Sequence, residues 1–175
     1  MRKILITIIC LFLSSFISAQ VWHDKVEEDG SRTIIAKSEK SLYNYLLWNA
    51  QLGLTYHIDT NGDAYLLYIR FNEIEADNID NGRKLLAKLN DDSVVELRVF
   101  GKTWNNSDDI MYSYALTLSE IFMLINGEVT KIRVETNSGY FDRNIKKNRF
   151  SEGLKSAYDA IQQRLIIKND IYNGF

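Results

Sequence analysis

Apolar and polar residues alternate along most of the chain, and only towards the C-terminus does the spacing lengthen to three and four. Val95, Leu97 and Val99 alternate with Glu96 and Arg98, which predicts a strand over 94–100 with one face on a core and one in water. The β-branched run Arg32–Lys37 and the alternating VTKIRVET of Val129–Thr136 read the same way. Leu52–Ile58 and Ala64–Phe71 flank Asp59-Thr60-Asn61-Gly62-Asp63. Asn and Gly both tolerate positive φ, so this segment predicts a hairpin turning at Asn61-Gly62. Its second arm, AYLLYIRF, is apolar on both sides of the pleat and predicts a central strand covered on both faces. A second Asn-Gly, Asn81-Gly82, opens a strand over 83–89, and the cluster Asn90-Asp91-Asp92-Ser93 turns it into 94–100. Met111–Leu116 and Tyr140–Ile145 are further strands, the latter entered through Asn137-Ser138-Gly139. Three stretches break the pattern. Val21–Ser31 is charged around Trp22 and reads as a poorly ordered entry segment. Ser41–Ala50 fits a strand or a short helix, and Gly101–Asp109 reads as a loop around Trp104.

Two segments have helical spacing. Thr117-Leu118-Ser119-Glu120 has the form of a capping box, in which Thr117 caps and Glu120 reaches back. The helix it starts carries Ile121, Phe122, Leu124 and Ile125 and closes at Asn126-Gly127. Over Arg149–Ile167, Phe150, Leu154, Ala157, Tyr158, Ile161 and Leu165 recur at three and four, a single stripe that faces a sheet. Gly153 interrupts this helix at a cost of about 1 kcal/mol relative to Ala. The expected fold is therefore α+β: an antiparallel sheet of about six to seven strands packed by one short and one long C-terminal helix.

The first 20 residues, MRKILITIICLFLSSFISAQ, change the picture of compartment. Arg2 and Lys3 precede an apolar stretch from Ile4 to Leu13, and Ala19 supplies a small residue for cleavage. This is the layout of a secretory signal peptide, cut near Ala19, followed by one domain over 20–175 that is secreted or periplasmic. The apolar stretch is shorter than the ~20 residues of a membrane span, so no span is expected after cleavage. The sole cysteine, Cys10, lies in the leader. The processed domain then has no disulfide, cysteine nucleophile or thiolate metal site. With 175 residues and 46% hydrophobic content, a core can suffice without staples.

A formal charge of −2 gives no electrostatic reason to bind nucleic acid. Lys131, Arg133, Arg143, Lys146, Lys147 and Arg149 are interspersed with Glu135 and Asp142 and read as a solvated face. His23 and His57 are the only histidines, and no GxSxG elbow accompanies them. The acidic run Asp59, Asn61, Asp63 resembles the start of a calcium loop. Ala64 stands where its glycine belongs and Arg70 where its glutamate belongs, so it reads as a turn. The pairs Asp91-Asp92 and Asp108-Asp109 suit turn chemistry better than paired-carboxylate catalysis. No metal site and no cofactor are expected.

Aromatic residues remain: ten tyrosines and three tryptophans, with Tyr43, Tyr45, Trp48, Tyr56, Tyr65 and Tyr68 in strands or adjoining loops. Trp104 in its polar loop, with Tyr112 and Tyr114, forms the candidate binding set. The resulting expectation is a non-enzymatic binding or interaction domain whose partner is an envelope protein or a glycan. The alternatives are a small secreted hydrolase using Asp or Glu with His57 in a concave pocket, or an inhibitor or immunity-type protein.

Overall fold

The computed structural model describes residues 19–45, 48–72, 79–106 and 109–172. Among them are ten strands: β1 (Ala19–Val26), β2 (Arg32–Ser38), β3 (Tyr43–Tyr45), β4 (Trp48–Asp59), β5 (Gly62–Asn72), β6 (Lys84–Leu89), β7 (Val94–Asn106), β8 (Asp109–Leu116), β9 (Val129–Thr136) and β10 (Gly139–Asn144). Helix α1 (Leu118–Asn126) lies between β8 and β9, and α2 (Arg149–Tyr172) follows β10. The strands form one antiparallel sheet in the order β1-β2-β4-β5-β8-β7-β6-β9-β10, with β3 paired to β4 off this path. Neither helix is long and apolar enough to cross a membrane.

Strand β7 joins two halves of the sheet. Its Val94–Arg98 segment pairs with β6, whereas Val99–Asn106 pairs with β8, and the register slips between Val99 and Gly101. The sheet curls as a result. Phe71 of β5 and Phe141 of β10 meet edge to face with ring centroids 6.0 Å apart. These strands are five places apart in the order, a separation of roughly 24 Å in a flat sheet at about 4.8 Å per strand. The chain leaving β10 also reaches the other half, where Lys146 N–H donates to the Leu42 carbonyl at 3.1 Å.

The concave side holds the core. Ile34, Leu54, Leu67, Ile69, Tyr112, Leu85, Ile132 and Val134 project inwards with essentially no exposure, and the alternate residues of the same strands face out. Helix α2 fills the concavity with Phe150, Leu154, Ala157 and Ile161, all fully buried, while Tyr158 and Leu165 pack at the margin. This is the stripe its spacing predicts. Gly153 has a packing reason: a β-carbon there would come within 3.0 Å of Ser38 Oγ and 3.2 Å of Ser38 Cβ. The capping box forms as expected, with Glu120 N–H donating to Thr117 Oγ1 and Thr117 N–H to Glu120 Oε2.

Six expectations are corrected. The sheet has ten strands rather than six or seven: eight fall on segments with strand patterns, and β1 and β3 arise in the charged entry segment and in Ser41–Ala50. The charged entry segment is β1, fixed by Asp24, which accepts from Arg32 at 2.9 and 3.0 Å and from Arg164 of α2 at 3.0 Å. The loop around Trp104 is the second half of β7, where Trp104 lies opposite Ile110. The β4–β5 hairpin turns one residue earlier than expected, with Asp59 opposite Gly62 and only Gly62 at positive φ. Strand β5 is central, but its outward residues Leu66, Tyr68 and Arg70 are half-buried rather than covered by a second layer. Gly127 ends α1 at φ −83°, so the close there is not a left-handed cap. The expected leader lies outside the described residues, apart from Ala19.

Candidate functional site

Both helices belong to the inner core, which leaves the outer face of the sheet open. On the β6–β7–β9 half that face is built in rows. Lys88 of β6 stands opposite Val94 of β7 on one side and Lys131 of β9 on the other. Leu86 stands opposite Glu96 and Arg133, and Arg133 in turn opposite Asp142 of β10. Leu86, Lys88, Val94, Lys131 and Arg133 line a shallow depression of about 210 Å³. Its floor is apolar: Leu86 is half-buried and Val94 is 54% exposed. Its charged walls are all cationic.

The acids that serve these cations stand at the periphery. Asp92, in the β6–β7 turn, pairs with Lys88 at 2.6 Å. Asp142 receives both the Arg133 guanidinium, at 2.7 and 3.0 Å, and the Lys131 ammonium. Those two cations hold the Asp142 carboxyl far below the usual carboxylate range. Arg133 also stacks on Tyr140, 4.1 Å from the ring centroid, which fixes its plane. One row over, Glu96 is shared by Lys84 at 2.9 Å and Arg98 at 2.6 Å, and its carboxyl is likewise lowered, chiefly by the Lys84 hydrogen bond. Asp142 alone serves both Lys131 and Arg133, so with the Lys88–Asp92 pair the three cations of the depression meet two carboxylates, an excess of one positive charge. Glu135 lies nearby and accepts from the Lys84 backbone N–H at 3.3 Å. The depression is equipped for non-covalent recognition: an apolar floor to receive a side chain and cations to receive anionic oxygens.

A second constellation lies on the other half. Thr33 Oγ1 and His57 Nδ1 are 2.9 Å apart across the β2–β4 pair, and His57 Nε2 is 3.8 Å from Asp59 Oδ2. The order hydroxyl, imidazole, carboxylate has the outline of a triad. The His57 side chain is 40% exposed, however, and Asp59 Oδ1 already accepts from the Asn61 backbone N–H at 2.6 Å. On the same half Trp22 is 66% exposed, with the Lys37 ammonium 5.9 Å from its ring centroid.

Of the residues named from sequence, Lys131, Arg133 and Asp142 meet at the depression and His57 and Asp59 in the second constellation, whereas Tyr112 and Tyr114 of the aromatic binding set are brought to neither place. Tyr112 and Tyr114 are fully buried on the inner face, so the binding role expected of them is corrected to core packing. The Trp104 side chain lies outside what the structure describes. Asp91 accepts from Ser93 N–H at 3.0 Å and Ser93 O–H at 2.6 Å, and Asp92 turns the backbone at φ 65°, as turn residues do. Asp108 is outside the described residues. His23 lies in β1 opposite Ile35 and is exposed. Sequence reading missed Leu86, Lys88 and Val94. A signal was there: Leu85-Leu86 and Val94-Val95 are apolar doublets inside alternating strands, and one member of a doublet must face out.

Comparison with models of protein families, with curated proteins and with solved structures returned no match.

Proposed function

We propose that the chain is a secreted or periplasmic, non-enzymatic binding domain that meets an envelope protein or a glycan through the outer face of β6, β7 and β9. The export part of this reading rests on the basic, apolar and small-residue order of the leader. The observation that carries the binding part is the cation-walled depression over Leu86 and Val94. An exposed Val94 beside a half-buried Leu86, with Lys88, Lys131 and Arg133 lining the same depression, supports this reading by joining apolar surface to cationic groups. The test is cross-linking of the tagged protein in its own cell envelope, followed by mass spectrometry of co-purified proteins and glycan analysis. A reproducible partner supports the reading, and a clean monomer with nothing attached counts against it.

The Thr33–His57–Asp59 row favours a second reading, a small secreted hydrolase using His57. A general base must lie within hydrogen-bond reach of the proton it takes, and His57 Nδ1 meets that condition for the Thr33 hydroxyl. Turnover of an ester or glycoside panel that is lost in His57→Ala and Thr33→Ala would support it. Turnover unchanged in both variants would remove it.

A further inference from the structure

We infer that the depression on β6, β7 and β9 takes an acidic protein segment, with one apolar side chain seated on Leu86 and Val94 and flanking carboxylates on Lys88, Lys131 and Arg133. This rests on the binding reading above and specifies the partner's chemistry.

Size argues first. Pockets for drug-sized ligands run from about 300 to 1,000 Å³, and this one is about 210 Å³. It has room for one leucine- or phenylalanine-sized side chain and is open enough for the rest of the ligand to lie outside. That suits one anchor of a larger partner rather than an engulfed small molecule.

Charge argues second. Lys88 and Lys131 are directly opposite each other on neighbouring strands, a placement of like charges that a sheet disfavours. Their carboxylate partners, Asp92 and Asp142, sit in the turn beyond Lys88 and on the strand beyond Lys131, not between them. An incoming carboxylate over the floor would lie between the two ammonium groups and near the guanidinium. The protein as a whole carries −2, so this local excess of positive charge runs against the rest of the molecule.

The floor argues third. Leu86 and Val94 are branched aliphatic residues, which match an aliphatic or aromatic side chain. A sugar ring stacks on exposed aromatic faces, and none lines this depression. Tyr140, on β10, carries the Arg133 guanidinium on its ring.

The test is a titration of the ¹⁵N-labelled processed protein, followed through its backbone amides, with three probes at up to millimolar concentration. These are the peptide Glu-Asp-Phe-Asp-Glu, its basic counterpart Lys-Arg-Phe-Arg-Lys, and oligogalacturonate. The acidic peptide should shift the amides of Leu86, Lys88, Val94 and Lys131 saturably, and the basic peptide should not. Raising salt from about 0.05 to about 0.5 M should weaken binding several-fold through screening. The double variant Lys88→Glu/Lys131→Glu should bind about tenfold or more weakly, as expected for reversing two exposed charges. The salt series needs no variant and stands even if the double variant fails to fold. Equal binding of both peptides, or stronger shifts of the same amides by oligogalacturonate, would overturn the inference. So would no shift at these amides with any probe. In that last case a partner captured in the envelope would leave the binding reading standing, whereas an empty capture would remove both.

Discussion

Tyr68 of β5 lies across Gly53 of β4 on the outer face of the sheet. The two are cross-strand partners, and a β-carbon at position 53 would fall 2.1 Å from the phenol ring. The absent side chain at 53 is what lets the ring lie down and cover the β4 backbone. Gly53→Ala must lift the ring or move the strand, and should destabilise by about 1–3 kcal/mol, the usual range for overpacking. Urea melts with an unchanged slope would measure it. The same change in Tyr68→Ala should cost less, because the obstructing ring is gone. Equal cost in both backgrounds would refute the contact.

Burial pushes the hydroxyls of both Tyr65 and Tyr68 up to about 12. An unfolded tyrosine ionises near pH 10, so between about pH 10 and 12 the unfolded chain gives up protons that the folded chain keeps. Stability should therefore hold up to about pH 10 and fall as pH rises towards 12. Denaturant midpoints at about pH 9, 10 and 11 would show this, and a flat profile would contradict it. Acid acts through the opposite sign. Asp142 is lowered by Arg133 and Lys131, so its contribution is present above the usual carboxylate range and is lost progressively as pH falls from that range through the lowered value of the folded state.

Tyr114 carries a buried hydroxyl with no hydrogen-bond partner among the described residues. A lone buried donor costs about 1–3 kcal/mol, and its removal leaves the ring packing intact. Tyr114→Phe should therefore be neutral or stabilising by about 1 kcal/mol, read from the urea midpoint. A loss of more than about 1 kcal/mol would mean that the hydroxyl is satisfied.

Gly153 in α2 is a direct contest between propensity and packing. Alanine gains about 1 kcal/mol of helix propensity. Its β-carbon, however, meets Ser38, whose Cβ is fixed to the β2 backbone, at 3.2 Å. Crowding should cancel the gain, leaving Gly153→Ala neutral or destabilised, and Gly153→Val worse by about 1–3 kcal/mol. A gain of the full propensity value on thermal or urea unfolding would show that α2 is not seated this tightly.

Where side-chain periodicity alone decides the structure, the sequence was readable. Strand β9, the stripe of α2 and the Thr117–Glu120 box all follow from local spacing. Reading failed where pairing across the sheet decides. Lys102–Asn106 is polar and turn-like, yet it is a strand because β8 lies beside it. Strand β1 is charged because it lies at an edge, and its order comes from Asp24 bridging Arg32 and Arg164, which are far apart in the chain. Tyr112 and Tyr114 were legible but misread. In MYSYAL they share a face with Leu116 and alternate with Ser113 and Ala115, so the larger face goes inward. The depression needed the register of three strands to bring Leu86, Val94 and Lys131 together, although each apolar doublet marked one outward residue.

The most direct test of the recognition face places a photo-cross-linking residue at Val94 and, as a control on the other half of the sheet, at Trp22. Both positions are exposed; Val94 pairs with Lys88, and Trp22 lies at the irregularity of β1 between Val21 and His23. In the native cell envelope, a covalent adduct should form from position 94, fade with Lys88→Glu/Lys131→Glu in the same chain, and be weak or missing from position 22. Adducts from position 22 but none from position 94 would contradict the account.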